Sequence, residues 1–336
     1  MENTLQLPGR RTLRMATGTA LCLAISFAFD FPIPVIAPVF AVFLLATQNR
    51  PLSFRAAAIL ALVVMLTTGS GLLLVPLLRH YALAGVMLVG VLLFVAFLYG
   101  VRGGNNLVAT FLVAGVTMIS AAGTADFQVG ATVVGALVKG LLLALLVSAL
   151  MHGLFPENAN ARPPPAARTV SADQAARIAL RAALVVMPAY LLAMTDPASY
   201  MPIIMKSVSL GRQSCTTTAR GAARELIGST LLGGLLAILF WFALKLSVHL
   251  WMFFLWMLLF GLMVGRRLYG IRMTRYPPGV WLNGFITMII LLGQSVQDSI
   301  AGKDVYTAFA VRMGLFLAVS LYACLMLQAF DRPRSG

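Results

Sequence analysis

Residues 56–78 contain no charged side chain, and the same holds for 82–100 and 226–244. About 20 helical residues cross the hydrocarbon of a bilayer, so runs of this kind commit a chain to a membrane before anything else is known. Residues 130–151 and 306–327 are of similar length and carry one basic residue each, Lys139 and Arg312. The chain is 60% hydrophobic and only 10% charged, with a mean hydropathy of +0.92. A soluble core cannot hide that much apolar surface. The predicted fold class is an all-α polytopic membrane protein.

The apolar runs divide into twelve predicted segments: 15–31, 33–48, 56–78, 82–100, 106–123, 130–151, 178–195, 199–211, 226–244, 248–264, 280–296 and 306–327. The second six repeat the first in outline. RRTLRMATGTALCLAISF (10–27) is answered by RIALRAALVVMPAYLL (177–192), and FDFPIPVIAP (29–38) by TDPASYMPII (195–204). GVTMIS (115–120) corresponds to FITMII (285–290), and YGVRGGNNLV (99–108) to GRRLYG (265–270). This predicts a first transmembrane repeat over 1–152, a cytoplasmic Pro/Ala-rich linker over 153–176 and a second repeat over 177–336. Each repeat has about six segments.

Charge sets the expected topology. With the N-terminus inside, nineteen basic residues fall on cytoplasmic connections, against Arg79, Lys245 and Lys303 outside. Both repeats then start on the same side, so they are parallel, and both termini are cytoplasmic. The formal charge of +15 is explained by this face and its contact with anionic membrane lipid, without nucleic acid. Arg50, Arg55, Arg212, Arg220 and Arg224 form its basic approach to the third segments. They serve topology alone, or also draw in an anionic substrate.

Segment two is the weak point of each half. Residues 33–48 and 199–211 are short for a crossing, and both are introduced by proline: Pro32, Pro34 and Pro38, then Pro197 and Pro202. Proline lacks the amide donor and clashes with the preceding turn, so short or broken segments are expected. In duplicated transporters such pairs point to the substrate site. Lys206 stands inside the second of them, beside Ser207 and Ser209. An ammonium is costly in lipid, so it faces protein, water or a substrate, or else snorkels to the surface. Lys139 and Arg312 could line the same anion path or pair with Asp126 and Asp298. Asp30 and Asp196 lie between segments one and two, where they titrate during transport or cap the next helix.

Enzyme chemistry finds no support. There is no phosphate-binding loop, and His80, His152 and His249 are scattered at membrane edges. Cys22, Cys215 and Cys324 lack metal-ligand spacing and read as structural thiols. No catalytic residue, metal site or cofactor is expected.

PIPVIAPVFAVFLLATQNRPLSFRAAA and YMPIIMKSVSLGRQSCTTTARGAARELIGSTLLGGLLA resemble the DUF2955 and fusaric-acid-resistance group of inner-membrane proteins, related to bacterial aromatic-acid exporters. In that group a basic connection follows a short Pro-led segment, and Arg and small residues open the next span, as Arg220, Arg224, Gly228, Gly233 and Gly234 do here. The resemblance implies proton-driven secondary efflux of small aromatic or amphipathic organic anions across a bacterial inner membrane. It also implies an HlyD-like periplasmic membrane-fusion subunit as partner. A homo-oligomer is a further expectation. An anion channel and a non-transporting scaffold for the fusion protein stay open as alternatives.

Overall fold

The computed structural model describes residues 2–48, 51–156, 171–216, 221, 223–247 and 249–330. Among them the regular structure is helical throughout, and nine helices are long and apolar enough to cross a membrane. This is a multi-pass, all-α membrane protein.

The helices are α1 (Glu2–Ala28), α2 (Ile36–Thr47), α3 (Phe54–Gly69), α4 (Val75–His80), α5 (Ala82–Val101), α6 (Asn106–Ala114), α7 (Ser120–Ala125) and α8 (Phe127–Leu154), followed by α9 (Ala172–Thr195), α10 (Pro197–Thr216), α11 (Gly228–Leu246), α12 (Leu250–Leu268), α13 (Pro278–Ile300) and α14 (Val305–Phe330). A 3₁₀ turn, Ser70–Leu74, joins α3 to α4. Two π-turns, Gly115–Ile119 and Ala223–Ile227, join α6 to α7 and lead into α11.

Segment two behaves differently in the two halves. α2 has 12 residues and is short, as expected, with Pro32 and Pro34 in the turn before it and Pro38 in its first turn. α10 has 20 residues and is neither short nor broken, which corrects the expectation for 199–211. Pro197 is its first residue, where the missing amide costs nothing. Pro202 lies one turn on, so the amide it removes would have reached only the first-turn carbonyl of Ala198. The polar run Gly211–Thr216 continues the helix because Gln213 and Ser214 are buried. Arg212, expected in a connection, is thereby helical.

The chain forms two compact units, each drawing on both halves. Unit 1 comprises Met1–Ala61, Ala136–Pro164 and Gly228–Ala310. Unit 2 comprises Leu62–Gly135, Pro165–Ile227 and Val311–Gly336. In unit 1, α1 packs on α2 and α12, α11 on α12 and α13, and α13 on α12 and α2. Unit 2 has its own set of pairings. There α9 packs on α10 and α5, the 3₁₀ turn on the first π-turn, α4 on α5 and α7, and α6 on α5 and α10.

α1, α2 and α10 are not among the long apolar helices, and their burial explains why. Arg14, Thr19 and Ser26 on α1 are buried, as are Lys206, Ser207, Gln213 and Ser214 on α10. α2 is buried on nearly every side, the mark of an interior helix. Lipid is met instead by α3, α5, α8, α11 and α14, where Leu66, Leu83, Leu146, Leu246 and Leu325 are all exposed.

Candidate functional site

In unit 2 two helices lose regular geometry where they cross. α3 tightens into the 3₁₀ turn and α6 widens into the π-turn, and the two irregular stretches pack on each other. Glycine makes the crossing close. A Cβ on Gly71 would fall on the Gly115 carbonyl oxygen, and one on Gly115 would strike the Thr67 carbonyl. Gly69 has nothing within 4 Å, so the tight position is Gly71 alone of the pair. Changes of helical pitch shift carbonyls out of register, and π-turns of this kind mark functional positions. Buried hydroxyls beside the crossing bond their own helices: Thr68 donates to the Val64 carbonyl at 2.6 Å and Thr117 to that of Val113 at 2.7 Å.

α10 packs on α6, this π-turn, α7 and α9. It carries Lys206, which is 2% exposed, the one buried lysine among the described residues. Ser207 beside it is fully buried and donates to the Ile204 carbonyl at 2.9 Å, while Ser209 is half-buried. At the head of α7, the buried Ser120 hydroxyl is hydrogen-bonded to that of Tyr190 on α9 at 3.2 Å. Unit 2 thus buries an ammonium, several hydroxyls and an irregular backbone among apolar residues, chemistry suited to an organic anion.

The other expected residues scatter. Lys139 is exposed, 13th along the 28-residue α8, and belongs to unit 1. Arg312 is half-buried on α14 and belongs to unit 2. Asp196 accepts from the Ser199 amide at 3.3 Å and caps α10. Asp30 caps nothing ahead of it, since α2 has no side-chain cap. It ends α1 instead, at φ 47°, with Phe31 N–H on the Ser26 carbonyl and Asp30 N–H on that of Phe27. Those two bonds are the crossed pair of a helix-terminating motif normally built on glycine. Arg55 and Arg224 are exposed, whereas Arg212 is half-buried. Arg50 and Arg220 lie outside the described residues.

Two functional-looking residues escaped sequence reasoning. Arg14 and Arg181 are 1% and 4% exposed. Arg14 donates to the Gln48 carbonyl at 3.5 Å, and Arg181 donates to that of Ser214. In each unit a guanidinium from the first helix grips the carboxy-terminal end of the second, where the carbonyls are unpaired and the helix dipole is negative. Their corresponding places in RRTLR and RIALR were the available signal.

No curated protein and no solved structure matches the chain. A family model described as "Protein of unknown function (DUF2955)" matches residues 11–151, which take in α2, the 3₁₀ turn and the first π-turn. Over this stretch the chain is similar to the DUF2955 family.

Proposed function

We propose that this chain is a secondary transporter that exports small aromatic or amphipathic organic anions across the bacterial inner membrane, driven by proton exchange. The observation that carries the reading is Lys206, buried with Ser207 on a helix packed against the first π-turn, Gly115–Ile119. An ammonium is kept in an apolar interior at high cost, and function is the usual reason. Irregular helices at such a place let backbone carbonyls and hydroxyls join in holding a ligand. The reciprocal pairings of the two units support a duplicated bundle of two parallel six-segment repeats, with both termini cytoplasmic. A periplasmic membrane-fusion subunit would continue the path outward.

The test is radiolabelled benzoate flux in proteoliposomes, with and without an imposed pH gradient, for wild type and Lys206→Gln. Gradient-driven flux that is lost in a correctly inserted Lys206→Gln protein is the expected result. Flux of equal size without the gradient would replace the exporter by an anion channel. Folded, inserted protein that moves no organic anion would make the chain a scaffold.

A further inference from the structure

The connection between α12 and α13 (269–277) joins two helices long and apolar enough to span, so it lies at a membrane–water boundary. It is braced at several points. Gly270, at φ 75°, turns the chain back at the end of α12 in a backbone region that favours glycine. The Arg272 N–H then reaches the Arg266 carbonyl at 2.9 Å. Thr274 is pinned from the other side, where its hydroxyl accepts the Trp281 indole N–H at 3.2 Å and the Tyr276 amide at 3.3 Å. Trp281 is buried, and the Arg267 guanidinium lies over its ring at 4.7 Å. The Tyr269 hydroxyl donates to the Met15 sulfur on α1 at 3.9 Å.

These anchors decide which side chains are left outside. Tyr269, Ile271 and Thr274 are half-buried, whereas Arg266, Arg272, Met273, Arg275 and Tyr276 are exposed. Met273 is 92% exposed. No Asp or Glu occurs between Glu225 and Asp298, so the connection carries no acid of its own. α1 adds to the charge at this end of unit 1. Gly265 packs on Thr12 and Gly261 on Ala16, so the two helices run in opposite directions and Arg10 and Arg11 come to the end of α12. Repulsion among arginines and an apolar side chain left in water both work against the loop as a purely structural device. A single such residue on a surface needs no explanation, but their combination on a braced loop at the boundary does. Arginine forks match phosphate, and anionic lipid attracts each of them. A pliant methionine and a tyrosine suit the level just beneath.

We propose that the α12–α13 connection is a binding surface for anionic phospholipid. Arg266, Arg272 and Arg275 meet the headgroup phosphates, and Met273 and Tyr276 enter the bilayer beside the acyl chains. The connection of α5 to α6 carries a single arginine, Arg102, and supplies the comparison. The assignment holds for either orientation of the chain and is independent of transport.

Retention of radiolabelled dioleoylphosphatidylglycerol by the purified full chain in dodecyl maltoside tests it, with dioleoylphosphatidylcholine as the zwitterionic comparison. Wild type should hold the anionic lipid more tightly, with the preference shrinking as salt is raised. Arg272→Gln and Arg275→Gln should each weaken that binding about fivefold, the scale of one basic residue at an anionic surface. Met273→Ser should weaken both lipids alike, because an acyl contact does not read the headgroup. Arg102→Gln should change neither. All four side chains are exposed, so the substitutions leave the packing untouched. A preference that survives Arg272→Gln and Arg275→Gln combined, or that Arg102→Gln diminishes equally, would overturn the assignment in favour of diffuse charge. Displacement of the lipid by inorganic phosphate at matched ionic strength, with Met273→Ser silent, would reduce the surface to a free-anion site. Retention of polyglutamate with no preference between the lipids would replace the lipid by an acidic protein segment.

Discussion

Arg14 and Arg181 show what a guanidinium can do inside a helical bundle. Each is buried on a first helix and donates to a carbonyl at the end of a second. Hydrogen bonds to charged groups contribute about 1.5–3 kcal/mol, so Arg181→Ala should lower stability by about that amount, with a smaller loss for Arg181→Lys. Thermal unfolding in detergent measures both. Asp30 makes the opposite case, because its backbone is held at φ 47°. Asp30→Gly should keep or raise the unfolding temperature, whereas Asp30→Val should lower it by about 1–2 kcal/mol. Just before α14, the Thr307 hydroxyl and the Tyr306 amide hold the Asp304 carboxyl below its ordinary value. Those bonds favour the charged form, so their stabilisation is present above the ordinary carboxylate pKa and lost as pH falls through the lowered one. Asp304→Asn should therefore flatten the acid limb of stability against pH.

Among the elements, the crossing of the 3₁₀ turn and the first π-turn has the least tolerance. Gly71→Ala places a methyl group on the Gly115 carbonyl and should cost about 1–3 kcal/mol. Gly69→Ala meets open space and should be neutral or slightly stabilising. The same thermal assay separates the two. Much of the element order was legible from apolar runs alone, because lipid imposes a long, charge-free stretch on whatever faces it. Of the interior helices, α2 was legible as a short segment and α10 was not. α10 was underestimated because proline and a polar tail read as breaks, although Pro197 starts the helix and Gln213 and Ser214 are buried. Lys206 was legible as an anomaly, while Tyr190 and Ser120 were not, since a tyrosine or serine in an apolar run is ordinary until its partner is seen. Arg14 and Arg181 were assigned to the cytoplasmic face because charge counting cannot say which way a side chain turns.

At the scale of the molecule, topology is open to direct measurement. In a cysteine-free background, Arg102→Cys and Arg272→Cys should be labelled from the cytoplasmic side only, and Tyr81→Cys and Ala301→Cys from the outer side only. Labelling of the first two from opposite faces would exclude parallel repeats. The composition of the units also governs how the protein is made. α1 packs on α12, which begins at Leu250, so Arg14 enters the membrane long before unit 1 can close around it. At roughly 5–20 residues per second, that wait lasts on the order of tens of seconds. During it a nascent chain exposes a cation and several hydroxyls to lipid, and an insertase must shelter them or a protease will find them first.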